Sequence, residues 1–89
     1  MTAEEKIKLI DQLIEDFGGT IHSFRVSRCL TLQDMAELVS CSASYVWRIE
    51  NNRRNPDFDV RIRFLEQAMG FSAEDIYLYL SRFSSREEK

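Results

Sequence analysis

Apolar positions recur along the chain at helical spacing. Ile10, Leu13, Ile14 and Phe17 form one stripe, widened by Ile7 and Leu9, and predict a helix over Thr2–Phe17. Thr2 with Glu5 three residues on makes a capping box at its start, and Gly18-Gly19 is expected to end it. A second helix, capped by Thr20, is predicted over Ile21–Cys29, with Ile21, Phe24 and Arg28 on one side and Arg25 beside them. His22 is expected at its solvated start. Further on, Phe58, Ile62, Leu65 and Met69 mark the inner face of a helix prepared by Pro56-Asp57 and closed by Gly70. Ser72, with Asp75 three residues on, caps a last helix whose inward face is Ile76, Tyr79, Leu80 and Phe83. Ser84–Lys89 is expected to fray.

The middle of the chain, LTLQDMAELVSCSASYVWRIENNRRNP from Leu30 to Pro56, carries the densest set of signals. Thr31 and Asp34 make a capping box for a short helix whose apolar face is Leu32, Met35, Ala36 and Val39. Ser40-Cys41-Ser42 interrupts that periodicity, and Ser42 can cap a second short helix that buries Val46 and Ile49 and ends at Asn51-Asn52. Helices this short need tertiary support. Two of them joined by a tight turn have the outline of a helix-turn-helix.

Composition fits a compact helical chain: 89 residues, 44% hydrophobic, one Pro and three Gly. No apolar run approaches a membrane span, and the acidic start does not resemble a secretory signal. Cys29 and Cys41 form no CxxC pair, and with His22 the one histidine, reduced thiols are expected rather than a disulfide or a zinc site. The net charge of −3 is unevenly spread. Residues 1–20 carry −3, residues 21–56 carry +2 and residues 57–89 carry −2. Local field rather than total charge decides whether a phosphate backbone is attracted, and the middle segment is the net-basic one.

Arg25, then LTLQDMAELV, then SASYVWRIENNRRNP, in that order and spacing, resemble the phage-repressor/Cro (XRE-type) helix-turn-helix DNA-binding family. The resemblance covers a little under two-thirds of the chain. It implies an all-α fold: a five-helix repressor-like domain over residues 20–83, preceded by an extra amphipathic helix over residues 1–19 and followed by a polar tail at 84–89. It implies a recognition helix at about residues 43–51 with Ala43, Ser44, Trp47 and Arg48 facing DNA bases. Arg48 is the best candidate for base readout, because a guanidinium binds guanine O6 and N7 together, and Ala43 can offer a methyl to thymine. Gln33, Tyr45, Arg53, Arg54 and Asn55 are expected at phosphates. Arg25 and Glu50 are expected to form a structural ion pair. Departures from the family pattern are Leu32 in place of a phosphate-contacting Gln, Ser40 and Asn52 in place of glycines, and one extra residue between Pro56 and Gly70.

The expected function is sequence-specific binding of double-stranded DNA by a cytoplasmic regulator of a bacterium, phage or mobile element, acting as a homodimer without cofactor or metal. The rival is a protein-interaction module, an antitoxin-like or accessory component, that meets its partner through the N-terminal helix. An enzyme is not expected: the sequence holds no phosphate-cradling Gly-rich loop, no metal-ligand cluster and no nucleophile–base pair.

Overall fold

A computed structural model describes residues 1–87. Six helices, with no strand among the described residues, surround one core: α1 Ala3–Glu15, α2 Phe17–Ser27, α3 Leu32–Val39, α4 Ala43–Glu50, α5 Phe58–Arg63 and α6 Ala73–Glu87. Between α5 and α6 the chain continues as a π-helical turn, Phe64–Ala68. The all-α architecture, with an additional helix ahead of the α2–α6 set, is the one expected from the sequence.

The N-terminal caps are local and fall where the sequence placed most of them. Thr2 and Glu5 close a reciprocal box on α1. Asp75 and Ser72 do the same on α6. The first boundary differs from the expected one. α1 ends at Glu15, and Asp16 rather than Thr20 caps α2, its Oδ1 accepting from Gly19 N–H at 3.0 Å. Gly18-Gly19 is therefore no helix stop but the first turn of α2. Gly18 is buried against the carbonyl of Ile49 in α4, an approach that leaves no space for a side chain.

The helix C-termini share one device, expected at Asn52 and Gly70 and unmarked at Cys29. Cys29, Ser40, Asn52 and Gly70 all occupy the left-handed region, with φ of 57°, 56°, 57° and 71°. At the first three positions the residue that follows donates back to a carbonyl five residues earlier: Leu30 to Arg25, Cys41 to Ala36 and Arg53 to Arg48, at 3.0, 2.9 and 2.8 Å. This is the Schellman closure of a helix end, here made mostly without glycine.

Ile10 and Leu13 of α1 are fully buried, each worth roughly 1.5–3 kcal/mol by removal of apolar surface from water. They join Phe17, Ile21, Met35, Ala36, Val39, Val46, Ile49, Phe64, Leu65, Phe71 and Tyr79 in a single core. Phe17 and Phe64 meet edge to face, with centroids 5.8 Å apart. The inner face of α5 is shifted from the expected one. Leu65 points inward as expected, but Phe58 is 43% exposed and Ile62 and Met69 are half-buried, whereas Arg61 and Phe64 share the inward face with Leu65. The π turn explains the shift. Counting back from Met69 at α spacing reaches Ile62 and Phe58, but a π turn holds one more residue than an α turn and moves the frame by one. The expected frayed tail is also helical: α6 continues through Glu87 and uses Arg86 against α1, while Glu88 and Lys89 lie outside the described residues.

Candidate functional site

The α3–α4 corner is fixed at each end by its own sequence. Thr31 Oγ1 accepts from Asp34 N–H at 3.0 Å while Asp34 Oδ2 accepts from Thr31 N–H at 2.9 Å. Ser42 Oγ accepts from Tyr45 N–H at 3.1 Å to start α4. Between them Arg63 Nη1 donates to the Val39 and Ser40 carbonyls at 2.9 and 3.4 Å, placing a cation on the negative end of α3. Ala36, Val39, Val46 and Ile49 are buried where the two helices pack.

The far end of α4 is tied to α2 by charge. Glu50 has a side chain only 2% exposed, and the Arg25 guanidinium grips it through Nε–Oε2 at 2.7 Å and Nη2–Oε1 at 3.0 Å. Arg25 Nη1 also donates to the Leu30 carbonyl at 2.8 Å. Hydrogen bonding to Glu50 raises the Arg25 pKa against the opposing effect of burial. His22 is exposed, as expected, although within α2 rather than at its start, and its Nδ1 lies 2.7 Å from Glu50 Oε1.

With both ends held, α4 turns Ser44, Trp47 and Arg48 outward, and Trp47 is 44% exposed. Together with the half-buried Ala43 and Leu32 they line an open concavity of about 440 Å³. Arg53 lies over the Trp47 ring at 5.9 Å, and Arg54 over the half-buried Tyr45 ring at 5.8 Å. Arg48, Arg53 and Arg54 make no ion pair among the described residues. Gln33 is exposed on α3, its Nε2 donating to Glu37 at 3.3 Å, and does not line the concavity. Asn55 also stands apart from it, with Oδ1 accepting from Arg61 Nη2 at 2.6 Å.

The acidic side chains of α1 lie on the other seam. Asp11 receives both Arg82 nitrogens at 2.8 Å, Arg86 reaches Asp11 and Glu15 at 3.3 Å, and Lys6 meets Asp75 at 2.9 Å. Two acids of α1, Asp11 and Glu15, are thus matched by arginines of α6.

Three contributors escaped the sequence reading. Leu32 appeared there as a lost hydrogen-bond donor, whereas it supplies apolar lining next to Trp47. Arg63 had no marker beyond its charge. Arg61 is buried, sandwiched near Phe17 and Phe83 at 4.8 and 5.7 Å, with Nε donating to the Pro56 carbonyl at 2.9 Å and Nη1 reaching Tyr79 Oη at 3.2 Å. Its signal was available: it stands three and four residues before Phe64 and Leu65, on their helical face.

Among the described residues no group of three or more His, Cys, Asp or Glu side chains is placed to hold a metal ion. Cys29 and Cys41 are free thiols. No described helix is long and apolar enough to cross a membrane.

Two short helices at a tight corner, the second presenting an open polar and cationic face, define a helix-turn-helix. A family model for the helix-turn-helix domain matches residues 16–76, and the chain belongs to that family. No curated protein and no solved structure matches the chain.

Proposed function

We propose that this protein binds double-stranded DNA through α4, as a cytoplasmic transcriptional regulator of the phage-repressor/Cro type, with no chemistry of its own. The observation that carries the reading is the outward face of α4 and its following loop. Arg48, Arg53 and Arg54 stand there exposed and without carboxylate partners among the described residues, while Asp11 and Glu15 of α1 are matched by arginines of α6. Such a field attracts a phosphate backbone even at a net charge of −3.

In this assignment Ala43, Ser44, Trp47 and Arg48 approach base edges. Arg53 and Arg54 hold phosphates, joined by Gln33, Tyr45 Oη and Asn55 Nδ2, and the Arg25–Glu50 pair sets the angle of α4. Readers of this kind work as symmetric pairs on half-sites about one helical turn apart. Ile10 and Leu13 are spent on the core, so α6, where Tyr77 is 74% exposed, is the better candidate for self-association. A salt titration of duplex binding tests the assignment. Affinity should fall steeply as salt rises, and a chain that ignores duplex DNA at low ionic strength would refute it.

A further inference from the structure

The concavity on α4 is unusual in what it pairs. One wall is apolar, made by Leu32, Ala43 and the half-exposed Trp47, and the other is the guanidinium arm of Arg48, with Ser44 beside them. From this pairing we propose that the site reads a C5-methylated pyrimidine followed by guanine, accepting thymine and 5-methylcytosine alike and rejecting unmethylated cytosine. The proposal rests on the DNA-binding reading and names the step that α4 recognises.

The chemistry follows from what each base edge shows in the major groove. Guanine offers O6 and N7 to a bidentate guanidinium, and thymine offers O4 and a C5-methyl. A methyl one step from that guanine needs an apolar wall next to the arginine, which Leu32, Ala43 and Trp47 provide. A polar side chain at position 32 would hydrate that wall. Thymine and 5-methylcytosine then differ only at the 4-position, where one carries an acceptor and the other a donor. The Ser44 hydroxyl can donate or accept, so it satisfies either base and leaves the methyl as the discriminating group.

Selection of bound duplexes from a pool randomised at its centre, at low salt and with the full chain, comes first. The enriched site should contain a TpG step. Within that site, deoxyuridine in place of thymidine removes only the methyl and should weaken binding about fourfold, the worth of one buried methyl. Cytosine should weaken it at least as much, 5-methylcytosine should restore it, and 7-deazaguanine should cost about tenfold. Trp47→Ala and Leu32→Ser, each checked for an unchanged melt, should bind deoxyuridine and thymidine sites equally. Enrichment of sites without the step, or indifference of the wild-type chain to deoxyuridine, would overturn the proposal while leaving DNA binding intact. Failure to enrich any duplex would overturn both.

Discussion

Gly18 in the first turn of α2 lies directly against the carbonyl oxygen of Ile49 in α4, with no room between them for a methyl group. The contact seats the proposed recognition helix on α2, and it makes the paired glycines unequal. A Cβ at Gly18 would collide with backbone, whereas one at Gly19 would meet the Asp16 carboxylate, a side chain that can turn away. In a helix interior Ala is favoured over Gly by about 1 kcal/mol. At Gly18 an overpacking cost of about 1–3 kcal/mol outweighs that gain. Gly18→Ala should therefore destabilise by up to about 2 kcal/mol in urea unfolding. Gly19→Ala trades a weakened cap, about 1 kcal/mol, for the same helix gain and should be nearly neutral. Equal effects at the two positions would contradict the close approach.

The Arg25–Glu50 pair is the other fastening of α4. Glu50 is almost wholly buried and Arg25 is 14% exposed, so deleting one partner strands the other in low dielectric. Glu50→Ala should cost about 3–5 kcal/mol of folding stability. Arg25→Lys keeps the charge but loses the two-pronged grip and the bond to the Leu30 carbonyl. It should cost less, on the order of 1–2 kcal/mol, because each lost charge-assisted bond is partly replaced. Chemical denaturation of both variants measures the ordering, and a larger loss for the lysine variant would exclude it.

Binding predictions separate positioning from readout. Arg53 and Arg54 follow α4 and carry no carboxylate partner among the described residues, so Arg53→Ala/Arg54→Ala should weaken binding to all duplexes alike. The slope of log affinity against log salt should flatten by about 2, close to 0.9 per lost phosphate contact. Arg48→Ala should leave the slope nearly unchanged and cost about 1–3 kcal/mol on the preferred site only. Gel shifts across a salt series distinguish the two, and a slope unmoved by the double substitution would remove those arginines from the phosphate contacts.

Acid should open the α1–α6 seam. The Asp11 carboxyl is held below its usual range by hydrogen bonds from Arg82, and that of Asp75 by Lys6 and then by the Ser72 N–H. Both groups bind protons less readily in the folded chain than in the unfolded one. Their contribution is therefore complete above the unfolded value near about 3.9 and is lost as pH falls through the lower folded values. Tm should fall as pH drops below about 4, and Asp11→Asn should flatten that fall while lowering Tm at neutral pH. An Asp11→Asn chain with the wild-type acid profile would assign the sensitivity elsewhere.

What the sequence disclosed and what it hid divide by range. The boxes Thr2–Glu5, Thr31–Asp34 and Ser72–Asp75 each depend on two residues three apart, so the starts of α1, α3 and α6 were readable. The exposure of Trp47 followed from buried Val46 one position before it, and that of Ser44 and Arg48 from the family resemblance. The end of α1 was misjudged because Gly18 answers to Ile49, thirty-one residues later, and not to its neighbours. The left-handed Cys29 was hidden because cysteine does not favour that region, whereas Ser40 was marked by standing in place of a glycine. Leu32 belongs to the concavity only once α3 and α4 cross, which no local pattern states.

The π turn has room to store the one extra residue that the family resemblance implies between Pro56 and Gly70, and deletion tests whether it does. The Met69 N–H reaches the Phe64 carbonyl at 3.1 Å across five residues, and both Glu66 and Gln67 on that turn are exposed. Removing Gln67 would return the bond to α spacing. Ala68 and Met69 would then sit three and four residues after Phe64 and keep their inward face. A deletion inside an ordinary helix turns everything beyond it by roughly 100°. Removal of the equally exposed Glu37 from α3 should therefore put Leu38 in the exposed place of Glu37, Val39 in the exposed place of Leu38, Ser40 in the buried place of Val39, and the corner before α4 out of register. The Gln67 deletion should retain helical circular dichroism and a cooperative melt, and the Glu37 deletion should lose both. A Gln67 deletion that unfolds the chain would show that the π turn is required by the packing of Phe64 and Leu65 rather than a means of storing one residue.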